Sequence, residues 1–213
     1  MFSLHNLIYI LPAVLIAVTL HEYAHGYVSY RLGDPTPAYE GRLSFNPLRH
    51  LDVIGTLCLI IFGFGWAKPV QVNPYYYDNR KKGMVMVSLA GPFMNFCVAF
   101  ASILSMGLII KVTGGYGDGF LIYLYRFLSV LASINIGLGV FNLIPIPPLD
   151  GSKVLTAVLP TQQYFKLMQY EGYIQLILFA LLWFGFLNAP LYYLRSGVTE
   201  LMVSVANFVL GLG

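Results

Sequence analysis

The sequence predicts a membrane protein of the all-α class: a multi-pass bundle of about four to six transmembrane helices, with a short re-entrant segment and a small β-sheet at the membrane. Three observations predict it. Of 213 residues, 58% are hydrophobic and only 10% are charged. A soluble domain carries about a quarter charged residues, so the surplus apolar surface has to face lipid. The apolar residues also gather into long runs, and the basic residues concentrate in the short loops between them, which sets orientation. A net charge of +3 is too small to argue for nucleic acid. The partner these features imply is the lipid bilayer.

The first apolar run extends from about Leu7 to Tyr30. Its start, MFSLHNLIYI, lacks the basic leader and small-residue cleavage site of a secretory signal, and is expected to begin an anchored helix. The second run, Leu51 to Trp66, falls short of the roughly 20 residues that spanning requires. Arg31, Arg42 and Arg49 precede it, and Arg80, Lys81 and Lys82 follow it. The positive-inside rule places both loops on the cytoplasmic face, so this run is expected to enter and return, sheltered by protein. Met84 to Val112 then leads outward and Phe120 to Ile146 leads back. On this topology the ends of the first and fourth runs share the cytoplasmic side. Tyr173 to Leu187 forms a fifth run, and Leu191 to Leu212 a sixth that carries Arg195 and Glu200 near its start. Cys58 and Cys97 lie within apolar runs and read as buried free thiols. The whole chain, 1–213, reads as one domain with a core over about 7–158 and C-terminal helices over about 172–212.

Two loops have a strand's period. In GWAKPVQVNP (65–74), Val70 and Val72 alternate with polar neighbours, and Pro69 and Pro74 confine the stretch to an edge. YEGRLSFNP (39–47) is a second candidate strand. The two are either ordinary loops or a small sheet whose edge, through Val70, Gln71 and Val72, receives an extended peptide.

The chemistry concentrates at VTLHEYAHGY, where the first run ends. HEYAH is H-E-x-x-H. On a helix His21 and His25 fall one turn apart on one face, a spacing that lets two imidazoles grip one metal ion with Glu22 beside it. Helix-end histidines satisfied by hydrogen bonds are the plainer alternative. Ionisable groups at a membrane helix terminus need partners, however, and a divalent cation answers all three. A catalytic zinc site takes a third protein ligand and keeps a position open. Asp150, one of nine acidic residues, follows the proline-rich NLIPIPP on the same predicted side of the membrane. By itself it reads as the cap of a short helix starting at Ser152. Beside H-E-x-x-H on the matched face, ligation is the better reading. Asn135, Gly139 and Asn142 form a polar stripe on the fourth run, serving interhelical hydrogen bonds or, for Asn142 together with Asn95, oxyanion or substrate binding.

HEYAH, AGPFMN (90–95) and NLIPIPPLDG (142–151), with GRLSFNPLRHLDVIGT and WAKPVQVNP, together resemble the site-2 protease family of intramembrane zinc metalloproteases, in its compact form without extra soluble domains. The resemblance covers roughly 10–158. It departs at Val53, where a proline is expected, and matches little after about Tyr170. It implies that His21, His25 and Asp150 bind Zn2+, that Glu22 is the general base, and that the substrate is a transmembrane protein cut in or near its membrane segment. The hydropathy and the basic loops, for their part, imply a multi-pass protein, expected in the cell membrane, with its active site toward the cytoplasm. Two rival functions use the same residues. One is an ion or proton transporter with a His/Glu/Asp path; the other is a pseudoprotease that binds membrane helices without cutting them.

Overall fold

The structure is a computed structural model and describes residues 4–52, 55, 67–116 and 118–212. Most of the expected re-entrant segment, Leu51 to Trp66, and Cys58 with it, lies outside the described residues. The described chain is helical: α1 (Leu4–Arg31), α2 (Thr36–Tyr39), α3 (Arg80–Thr113), α4 (Phe120–Asn142), α5 (Gly151–Val158), α6 (Thr161–Gln169), α7 (Glu171–Trp183) and α8 (Asn188–Leu210).

Three helices, α1, α3 and α4, are long and apolar enough to cross a membrane, and α7 with α8 could supply a fourth as a bent pair. Among the described residues this gives three or four spans, the low end of the four to six expected. At the C-terminal end the chain turns by 84° between α7 and α8 at Gly185, whose φ of +77° suits a residue without a Cβ. The sequence punctuates the long helices clearly. The Asn79 side chain accepts a hydrogen bond from the Lys82 N–H at 3.0 Å, capping α3. Gly114, with φ +71°, ends it in a left-handed turn. With 34 residues, α3 extends about 51 Å, well beyond a hydrocarbon core of about 30 Å. Its first turn, Arg80 to Lys82, is basic and exposed.

Helix α3 is central, packed against both α1 and α4. Ala99 and Ile103 of α3, Ala132, Ile136 and Val140 of α4, and Ala206 of α8 form the buried core. Small residues set the approach: a Cβ at Gly139 would stand 2.7 Å from the Phe96 ring, so the ring seats directly on the α4 backbone. Outward-facing Phe93, Leu108 and Tyr123 are exposed, as lipid-facing positions should be.

The expected small sheet is corrected. Among the described residues there is no strand, only an isolated antiparallel bridge between Leu51 and Ala67. Turn chemistry overrode the alternating pattern. The Asn46 side chain accepts from the Leu48 N–H, and the Asn73 side chain from the Tyr75 N–H, each at 3.1 Å. Each Asn-Pro pair thereby opens a single 3-10 turn, Pro47–Arg49 and Pro74–Tyr76. The N–H groups that a ladder would have used go to carboxylates: Val70 donates to Glu22 Oε2 at 3.0 Å and Asn73 to Asp34 Oδ2 at 2.7 Å.

Asp34 is the hub of that loop layer. It is fully buried and accepts from Ser29 Oγ at 2.7 Å and from the Thr36 N–H at 3.0 Å, as well as from Asn73. The Tyr77 hydroxyl, 2.7 Å from Ser29 Oγ, donates to it in turn, and the Tyr77 ring lies on Gly83 of α3. Burial works against the Asp34 charge, but the hydrogen bonds from Thr36, Asn73 and Ser29 hold its carboxyl below the ordinary range.

Candidate metal centre

His21 and His25 project from the same face of α1, ring centroids 4.6 Å apart and nearly perpendicular. Each ring is held through its Nδ1. His21 Nδ1 lies 2.6 Å from Asn95 Oδ1, and His25 Nδ1 lies 2.7 Å from the Val87 carbonyl. Both acceptors are carbonyl oxygens, so both Nδ1 atoms carry the hydrogen and both Nε2 atoms present lone pairs. Asn95 is fully buried. Its amide donates to the Ala17 carbonyl at 3.2 Å and to Asn135 Oδ1 at 2.8 Å. Asn135 in turn donates to the Leu131 carbonyl at 2.8 Å.

Asp150 is brought to the pair by the turn after α4. It occupies the N-cap position of α5 but makes no cap bond; the carboxylate points at the histidines instead. Oδ2 lies 3.1 Å from His21 Nε2 and 3.2 Å from His25 Nε2. The sharp reversal depends on Gly151, where a Cβ would stand 2.3 Å from the Leu143 carbonyl oxygen.

These residues fit a zinc ion. The two Nε2 atoms are 3.0 Å apart, so the three ligand atoms form a nearly equilateral triangle. Tetrahedral zinc with bonds of about 2.0–2.2 Å separates its ligand atoms by roughly 3.3–3.5 Å. Two neutral imidazole lone pairs and a carboxylate oxygen facing one another carry no hydrogen between them, and Asp150 Oδ2 is buried without a hydrogen-bond partner. A cation satisfies all three at once. Gly91 of α3 leaves the space: a Cβ there would stand 2.4 Å from His25 Nε2 and 2.6 Å from His21 Cε1.

Beside the triangle a cavity of about 620 Å³ opens, lined by His21, Glu22, Gly137, Asn142 and Arg195 among others. Glu22 is half-buried, anchored by the Val70 N–H. Asn142 borders the cavity and gives one amide hydrogen to the Leu138 carbonyl at 3.0 Å. The remaining expected site residues lie elsewhere. Asn95 faces the histidines from behind, and its two amide hydrogens are both taken, which leaves none for substrate. Val70 packs its side chain on Gly26, while Gln71 is exposed and Val72 partly so, and none of the three borders the cavity. Sequence reasoning missed the Val87 carbonyl, which has no side-chain signal, and the Asp34 hub, which reads as an ordinary loop aspartate. It noted Arg195 only as the polar start of the last run.

The profile of peptidase family M50 matches residues 105–185, running past the point near Tyr170 where the motif resemblance ends. The chain is 36% identical over 169 residues to YwhC of Bacillus subtilis, a candidate zinc metalloprotease by its name, covering 78% of this chain and 75% of YwhC. A similarly named protein of Methanocaldococcus jannaschii is 32% identical over 156 residues, 72% of each chain. Rip2 of Mycobacterium tuberculosis, also named as a candidate zinc metalloprotease, is 30% identical over 147 residues, 66% of this chain and 53% of Rip2. No solved structure matches. With a carboxylate and two imidazoles converging as a zinc site requires, and with relatives matched over most of their length, the chain belongs to peptidase family M50, the site-2 protease family of zinc metalloproteases.

Proposed function

We propose that the chain hydrolyses a peptide bond in or near the membrane segment of a transmembrane protein substrate, with His21, His25 and Asp150 holding zinc and Glu22 as general base. The observation that carries this reading is the close triangle of His21 Nε2, His25 Nε2 and Asp150 Oδ2, with Glu22 lining the adjoining cavity. The relatives are named for proteolysis, so the ion-path and non-cleaving readings gain no support from them.

When bound, zinc supplies Lewis acidity toward the scissile carbonyl and lowers the pKa of an attacking water to about 7. Glu22 accepts the proton of that water and delivers it to the leaving nitrogen. The Val70 N–H holds Oε2, leaving Oε1 for the proton. Asn142, with an amide hydrogen to spare, is the side chain placed to donate to the oxyanion. The substrate is extended where it is cut, since helical carbonyls are already hydrogen-bonded. The backbone N–H groups of Gln71 and Val72 have no partner among the described residues, and Val70, Gln71 and Val72 are proposed as substrate contacts outside the cavity. The site faces the cytoplasm of the cell membrane on this reading, as the basic residues Arg31, Arg42, Arg49 and Arg80 to Lys82 flank the end of the bundle that carries it. The unit is one domain, with the core at 7–158 and the C-terminal helices completing it.

The test is reconstitution with a single-span reporter substrate. The native chain is expected to bind zinc and release two products. Glu22→Gln should keep its zinc and release none; products from that variant would remove Glu22 from the chemistry.

A further inference from the structure

The proposed hydrolysis leaves one ionised side chain in the cavity without a role. Arg195 of α8 borders the same cavity as His21, Glu22 and Asn142. Its Nη2 donates to the Ser133 carbonyl at 3.3 Å and to Ser133 Oγ at 3.1 Å. The guanidinium lies flat across α4 at Gly137, where a Cβ would stand 3.3 Å from Cζ and 3.4 Å from Nε. Helix α4 thus offers a hydroxyl that orients the group and a missing side chain that admits it.

The charge is uncompensated. Among the described residues no carboxylate forms an ion pair with Arg195, and Glu200, on the same helix, is hydrogen-bonded to Ser196 at 3.0 Å. The hydrogens of Nε and Nη1 have no protein partner among the described residues. The cavity wall around it is largely apolar, with Val14, Val18, Ile134, Leu138 and Phe141. Arg195 is itself exposed, so its free donors are open to a ligand that enters the cavity. A planar fork with free donors matches a carboxylate in geometry as well as charge.

We propose that Arg195 determines specificity by binding a carboxylate of the substrate segment that occupies the cavity, an Asp or Glu side chain or a chain-end carboxylate. The proposal rests on the protease reading above, since it assigns the cavity to substrate. A phosphate at the lipid surface is the less fitting anion, because the guanidinium borders the cavity it shares with Glu22.

The experiment uses the zinc-loaded full chain in vesicles of neutral lipid and pairs of single-span reporters that differ by Glu against Gln, scanned along the segment. At one register the Glu reporter should be cut at least about tenfold better in kcat/KM. That ratio should fall toward one in Arg195→Gln, and Arg195→Glu should favour Lys over Gln at the same register. Gly137→Ala, which displaces the guanidinium without removing it, should lower the ratio as well and serves if Arg195→Gln does not fold. A matched pair with free and amidated ends reads the chain-end source; discrimination there that Arg195→Gln abolishes also supports the proposal. A ratio unchanged in Arg195→Gln, or discrimination at neither source, overturns it. So does a dependence on anionic lipid that Arg195→Gln abolishes while Glu and Gln reporters stay equal. The same pairs are also measured as binding to the Glu22→Gln chain. Absence of cleavage by the native chain would sink the protease reading, while the binding ratio still reports on Arg195.

Discussion

Asn95 Oδ1 lies 2.6 Å from His21 Nδ1, and this contact between α3 and α1 decides which nitrogen of the first histidine is free to hold metal. Asn95 cannot turn its amide around without facing two carbonyl-type acceptors, Ala17 O and Asn135 Oδ1, with an oxygen. Asn95→Ala removes the acceptor and frees the ring to rotate and change tautomer. Zinc affinity, read by chelator competition, should fall by about 10- to 100-fold, with helix content unchanged.

Gly91 is the second control on the metal. A methyl group there would sit within 2.4–2.7 Å of both imidazoles, where no side-chain carbon can stand. Gly91→Ala should push the rings apart and abolish stoichiometric zinc binding, measured by metal analysis of the purified protein. Full occupancy in Gly91→Ala would show that α3 yields more readily than its packing implies.

Val70→Pro deletes the N–H that holds Glu22 Oε2 at 3.0 Å and leaves the metal ligands untouched. Misplacing the base by a fraction of an ångström should cost on the order of tenfold to a hundredfold in kcat. Zinc content should match the native chain. A loss confined to KM would instead point to a substrate contact.

Asp34 predicts a pH dependence. Its folded-state carboxyl titrates below the ordinary value of 3.8, so its stabilising contribution is complete above that pH and disappears as pH falls through the folded-state value. Asp34→Ala strands the donors of Ser29, Thr36 and Asn73 and should destabilise by about 1–3 kcal/mol at neutral pH. Thermal unfolding in detergent should show the gap between native and variant closing as pH drops below 3.8. A gap constant down to the acid limit would mean that packing, not the charge, carries the effect.

Chelation tests the centre as a whole. Without a cation the two Nε2 lone pairs and the Asp150 carboxylate repel one another, so stripping the metal should lower Tm as well as end cleavage. Adding zinc should restore both. Recovery should fail in Asp150→Ala.

The long helices and the one-turn separation of His21 and His25 were legible in the sequence because both are written in local spacing. Asn79 and Gly114 punctuate α3, and His21 and His25 fall one turn apart wherever α1 lies. The predicted sheet fails for an equally local reason: Asn46-Pro47 and Asn73-Pro74 commit their backbone to capped turns, which outweigh the alternation of Val70 and Val72.

By itself the sequence determined a membrane-spanning helical chain with an H-E-x-x-H helix and a late aspartate able to join it, since hydropathy and one-turn spacing need no partner to be read. Only the tertiary structure decided that Asp150 leaves its capping role, that Asn95 serves His21 rather than substrate, and that Val70 grips Glu22. Each of those choices is a competition between hydrogen-bond partners more than 40 residues apart, and such a contest is settled by which helices touch.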